Sequence, residues 1–294
     1  MDIQQLNKQF AIPSKLFFEK GNGELTKVCL CRNDDYLEVY LHGAHITRYR
    51  QAANDLLWLS NQAEFTESKA IRGGIPLCWP WFGRKESFPE LPQHGFARCS
   101  RFEVESTAED DDGALIIKLY LNENNGTLSI WPYSFRLTLT IKLSDKLIVD
   151  LETNNTGEIP FSYSEAIHSY FSVEKIEKVE LSGFTQSEYL DQLSHSTERQ
   201  HNTIKFVGET DRIYKSSQQE FKILESGNPK ISISQFNANS TVVWNPWISK
   251  ARAMADFPDH GYREMVCIEA ANTGKGITLF PGETHNIRQV IARY

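Results

Sequence analysis

Strict alternation of apolar and polar residues restricts this chain more than any other feature. In SFRLTLTIKL, Phe135, Leu137, Leu139, Ile141 and Leu143 alternate with Arg136, Thr138, Thr140 and Lys142. Successive side chains leave a strand on opposite faces, so such a run turns one face to a core and the other to water. YLEVYLHGA repeats the pattern, with Leu37, Val39 and Leu41 set against Glu38, Tyr40 and His42. ALIIKLYLNE, KLIVDLETNN, PKISISQFN and STVVW extend it, and the turn signals DDDG, NENNG, NNTG and SGNP fall between them. Helical periodicity is nearly absent, and only LDQLSHSTERQ is expected to form a short helix. Many strands in series predict an all-β fold, a large antiparallel sandwich of two sheets.

The chain has 294 residues, 40% of them hydrophobic, enough for one large core. No repeat, low-complexity tract or linker divides it, so residues 1–294 are expected to form a single domain. The stretches least like strands are 60–100, 158–170, 205–214 and 244–275. On a sandwich, long loops of this kind are where the walls of a cleft are expected.

A net charge of -7 argues against a nucleic-acid partner, which requires a basic face, although a few local arginines can still hold a small anion. MDIQQLNKQFAIP lacks the apolar stretch of a signal peptide, and no segment approaches the roughly 18 apolar residues of a membrane span. The expectation is a cytoplasmic monomer without a membrane partner. Cys29, Cys31, Cys78, Cys99 and Cys267 lack paired metal-ligand spacing and read as buried thiols.

Residues 72–83, RGGIPLCWPWFG, cannot be a helix because of Pro76 and Pro80, and read poorly as a central strand. They form a shaped loop. Arg72 before Gly73-Gly74 and Arg98 after Gly95 suit an anion, since guanidiniums grip phosphate oxygens and adjacent glycines let backbone N–H groups approach. Trp79, Trp81, Trp244 and Trp247 are either core or a flat platform for a sugar ring.

Two residues stand out as chemically misplaced. His168 lies on a strand face with Ser164, Ala166 and Tyr170, an odd choice for a core and a reasonable one for a cleft floor. The bland alternative is a core histidine satisfied by hydrogen bonds. Glu269 is enclosed in the apolar run MVCIEAA, where a carboxylate must be paired with a cation or held as a general base. A histidine and a carboxylate facing one ligand supply acid and base together. His94, in PQHGFAR, stands beside a glycine that permits close approach, whereas His42 and His45 in HGAH fall on opposite faces and offer little to a metal. GxSxG, P-loop and GxGxxG signatures are all absent from the sequence.

Taken in order, RGGIPLCWPWFG, QHGFAR, HSYF, DRIY, VVWNPW, MADFPDHGYREMVCIEAAN and LFPGETH resemble the hexose-6-phosphate mutarotases, a branch of the aldose 1-epimerase (galactose mutarotase-like) superfamily. The blocks cover the chain from about residue 30 to the end. The resemblance implies a β supersandwich and anomer exchange of an aldohexose 6-phosphate without metal or cofactor. By position it implies that His168 and Glu269 are catalytic; ring opening needs a base at the C1 hydroxyl and an acid at the ring oxygen, roles expected of Glu269 and protonated His168 respectively. It implies substrate binding by Arg72, Gln93, Arg98 and Asp211, with His94 near the sugar ring. The competing readings are a non-catalytic carbohydrate-binding sandwich, a glycoside hydrolase needing a second carboxylate such as Asp211 or Glu165, and a cupin-like metal enzyme.

Overall fold

The computed structural model describes residues 1–85, 88–215 and 219–294. Alternation governs the strands as expected: Phe135–Leu143 buries every second side chain, and Leu147–Asn155 runs antiparallel beside it, Leu139 opposite Leu151. Both lie in a nine-stranded sheet. It runs in the order Ile204–Lys205, Val179–Ser182, Glu220–Glu225, Asn228–Phe236, Thr284–Arg293, Leu147–Asn155, Phe135–Leu143, Leu115–Asn122, Glu103–Glu109.

Facing it is an eight-stranded sheet. Its path is Thr197–Arg199, Glu188–Asp191, Thr210–Lys215, Ser240–Asn245, Met265–Leu279, Phe161–Ile167, Leu77–Cys78, and Tyr170–Ser172 also pairs with Met265–Leu279. The apolar faces of the two sheets merge into one core that also takes in Leu30, Leu37 and Tyr49 of a five-stranded meander near the N-terminus. Polar links cross between the sheets: Trp79 Nε1 donates to Thr153 Oγ1 at 3.0 Å, and Ser169 Oγ donates to the Gln289 side chain.

The structure corrects the expected loops. Thr210–Lys215 and Met265–Leu279 are strands that run through stretches reading least like strands, while Phe161–Ile167 is the strand that the alternation around His168 predicts. From Met265 to Asn272, and throughout Ser240–Asn245, every residue is buried. One face meets the nine-stranded sheet and the other lies under the loops of the cleft, so alternation has no reason to appear. LDQLSHSTERQ is a hairpin rather than a helix. Asp191 accepts the backbone N–H groups of Leu193 and Ser194 there, a side-chain turn that competes with helix. NENNG forms the start of a short helix, Asn125–Ile130, capped by Asn124. Among the described residues, no helix is long and apolar enough to cross a membrane.

Candidate active site

On the cleft side of the eight-stranded sheet, small side chains make the floor: Cys78, Ala166, Val242 and Ala271 form their own buried cluster. Glu269 stands directly opposite Val242 in the strand register, and one row away Trp244 pairs with both Asp211 and Cys267. His168 follows the last residue of Phe161–Ile167, and its backbone N–H is held by the Pro76 carbonyl at 3.1 Å. Residues distant in sequence thus converge: His168 Nε2 lies 3.3 Å from Glu269 Oε1, with side chains 9% and 1% exposed. His168 Nδ1 and Glu269 Oε2 are buried without a hydrogen-bond partner among the described residues. A pair left partly unsatisfied in a cleft is what a site awaiting polar ligand atoms requires.

The loop carrying Arg72 is fastened from several sides. Gly74 sits at φ +62 and donates its N–H to the Trp58 carbonyl at 2.7 Å, so that amide is not free for an anion, contrary to the expectation for the glycine pair. His45 Nε2 meets the Gly73 carbonyl at 2.7 Å and is structural rather than metal-binding. A Cβ on Gly74 would run into the Ile46 carbonyl oxygen. Gly74→Ala therefore combines left-handed backbone strain with a clash against backbone, and should cost at least about 3 kcal/mol. Urea unfolding measures this, and wild-type stability in the variant would refute the packing argument.

Arg72 does not stand free. Its Nε donates to Asp256 Oδ2 at 3.1 Å and its Nη1 to the Tyr170 hydroxyl at 3.3 Å, leaving other guanidinium N–H groups for a ligand. Arg98 Nη2 donates to the Gln93 carbonyl at 2.6 Å, and its Nε is buried without a partner among the described residues. Gln93 is exposed at the rim. Beside it, His94 Nδ1 accepts the Gly83 N–H at 3.2 Å, so its Nε2 carries the hydrogen when neutral. Gln93 must then present its amide oxygen to that nitrogen. The His94 and His168 rings meet edge to face with centroids 5.8 Å apart. Asp211 is partly buried, 3.7 Å from Lys250 Nζ. Lys250 and Asp256 were not singled out by sequence, and Tyr170 was noted only for sharing a strand face with His168; no local pattern reports that a lysine on a short helix or an aspartate in a loop will reach residues distant in sequence. None of Trp79, Trp81 and Trp244 is an open platform: Trp79 packs among Phe96, Trp131 and Phe135, and Trp244 lies edge-on to His168 at 6.3 Å.

The electrostatics revise the expected protonation. Burial, then Arg98 and Arg72, hold His168 down to about 3, while burial and the Asp211 carboxylate push Glu269 well above the usual carboxylate range. Both shifts work against an imidazolium beside a carboxylate and favour a neutral pair with the proton toward Glu269. His168, Cys267 and Glu269 offer donor atoms all within 4.8 Å of one another, a set a cation could use. Two nearby guanidiniums and a thiol that burial keeps protonated oppose that use.

Stability follows the same charges. His45 and His168 are held to about 3, and His94 well below 6.5, mainly by burial. The unfolded chain protonates near pH 6.5. It therefore binds more protons than the folded one, and stability falls as pH drops from 6.5 toward 3, by about 1.4 kcal/mol per unit for each histidine. Glu165 and Glu269, raised by burial, oppose this above about pH 4.5, where the unfolded chain releases protons that the folded one keeps. The loss should be steepest below 4.5. Urea midpoints between pH 7 and 4 test this, and a flat profile would mean that these histidines are charged in the folded protein.

A family model described as Aldose 1-epimerase matches residues 27–292. A protein of Cenchrus ciliaris, provisionally named glucose-6-phosphate 1-epimerase, is 37% identical over 259 residues, 84% of this chain and 78% of its own. One of Escherichia coli strain K12, under the same provisional name, is 35% identical over 275 residues, 90% and 91% of the two chains. Among solved structures, a Salmonella typhimurium protein provisionally named a mutarotase aligns with a TM-score of 0.89 at 26% identity, covering 99% of this chain and 98% of its own. Galactose 1-epimerase from Lactobacillus acidophilus has the same fold, with a TM-score of 0.74 at 14% identity over 95% and 98% of the chains.

Proposed function

The chain belongs to the aldose 1-epimerase family, and on that premise we propose that it interconverts the α and β anomers of aldohexose 6-phosphates such as glucose 6-phosphate. The observation that carries the proposal is the 3.3 Å approach of His168 and Glu269 on the cleft floor. Mutarotation takes a proton from the C1 hydroxyl and puts one on the ring oxygen. Both oxygens are bonded to C1, so an acid and a base that share one cleft floor can serve both, as this pair can. A binding-only sandwich has no need of such a pair.

The sugar's phosphate is assigned to the unspent N–H groups of Arg72 and Arg98. Burial is the largest influence holding His168 down and the two guanidiniums come next; the phosphate's negative charge would offset the guanidiniums and so favour passing the proton from Glu269 to the imidazole as the sugar phosphate binds. Glu269 is then the base at the C1 hydroxyl and His168 the acid at the ring oxygen. The ring opens to the aldehyde, C1 rotates about the C1–C2 bond, and the roles reverse on closure. Asp211 and Gln93 hold sugar hydroxyls, and the neutral His94 Nε2–H exchanges the Gln93 amide oxygen for a sugar oxygen. The phosphate takes no part in bond-making; its binding energy fixes the reacting end.

Two-dimensional exchange NMR on glucose 6-phosphate and on glucose tests this. The protein should accelerate exchange of the phosphorylated sugar well beyond that of the free one. Exchange no faster than in buffer on hexose 6-phosphates would end the proposal.

A further inference from the structure

His168 and Arg72, one reacting with the sugar and the other gripping its phosphate, share one buried neighbour. Tyr170 lies two residues beyond His168, 2% exposed, with its ring nearly parallel to the imidazole, centroids 4.8 Å apart and planes 9° apart. Its hydroxyl accepts the hydrogen bond from Arg72 Nη1 at 3.3 Å. Its backbone ties the same parts together: the Tyr170 N–H donates to the Gly74 carbonyl at 2.9 Å, and Tyr170 pairs with Cys267 on the strand that bears Glu269. The Trp58 ring packs on it nearly parallel at 6.0 Å, and Trp244 meets it edge-on at 5.9 Å.

A phenol in so apolar a setting is costly unless its hydroxyl has a partner, and phenylalanine would fill the same space. The hydroxyl is accounted for by Arg72, and the ring by His168. We propose that Tyr170 is a positioning residue that links the phosphate-binding arginine to the catalytic histidine. The guanidinium is held at Nε by Asp256 and at Nη1 by the phenol, so its remaining edge has a set direction. The phenol ring, clamped between these contacts, sets the plane of the imidazole. The link rests on the proposed turnover of hexose phosphates for its kinetic meaning, while its geometry can be judged separately.

Tyr170→Phe removes the hydroxyl and keeps the ring; Tyr170→Leu removes both. Exchange kinetics on glucose 6-phosphate and glucose should show Y170F lowering kcat/KM for the phosphorylated sugar about tenfold more than for the free one, the scale of a hydrogen bond to a charged group. Y170L should lower kcat on both sugars by a further factor of about ten, since misplacement of a reacting group is costly. Equal losses on both sugars in Y170F, or equal kcat in Y170F and Y170L, would overturn the link. In histidine-labelled protein, the ring-current shift of the His168 signal should persist in Y170F and vanish in Y170L. Added inorganic phosphate should move that signal in wild type and move it less in Y170F; the same displacement in both variants refutes the link even if wild type exchanges no sugar. Wild type that exchanges no hexose phosphate, with the NMR pattern intact, would sink the functional proposal alone.

Discussion

Glu269→Gln lowers anomer exchange of glucose 6-phosphate by roughly 10²- to 10⁴-fold, the contribution expected of one positioned acid or base. Glutamine keeps the shape of the side chain and a polar contact to His168 Nε2, but it cannot gain or lose the proton that the pair must move. Glu269 is buried to 1%, so the isosteric change avoids the cavity and repacking that alanine would cause. Binding of the sugar phosphate, followed by line broadening or calorimetry, should stay within a few-fold of wild type. Exchange at the wild-type rate would remove Glu269 from the mechanism. Loss of binding together with exchange would instead make it a ligand group.

The second large effect is selective. Arg72→Ala should lower kcat/KM for glucose 6-phosphate about a hundredfold, as loss of a charge-assisted phosphate contact predicts, and change turnover of glucose far less. The contrast matters because Arg72 also neutralises Asp256 at 3.1 Å, and removing it leaves a partly buried carboxylate without that partner. General damage of that kind would depress both sugars alike. Equal losses would therefore sink the phosphate assignment while leaving the ion pair as the reason for the arginine. Removal of a guanidinium also raises His168 toward its ordinary range, which acts in the same direction as phosphate binding.

Much of this was legible before the structure, for identifiable reasons. Phe135–Leu143 and Leu147–Asn155 have one wet and one dry face, so their period appears in the residues themselves. Ser240–Asn245 and the first half of Met265–Leu279 have two dry faces, and the strand bearing Glu269 looked like a loop for that reason. Glu269 itself was conspicuous because ionisable groups in apolar runs are rare. His168 was conspicuous too, on a strand face of small and polar residues, but the distance between the two was not legible, since proximity between residues 168 and 269 is created by the register of Met265–Leu279 with its neighbouring strands.

From sequence alone came the sandwich class, the histidine and carboxylate, and the arginine–glycine loop, because each depends on what a residue's own neighbours along the chain must do. Tertiary structure alone decided which atoms meet and which charge they carry. Arg72 is shared with Asp256 and Tyr170, the Gly74 amide is spent on Trp58, and burial pushes the proton of the pair toward Glu269. Burial and the fields of distant cations act through space, and no spacing along a chain records them.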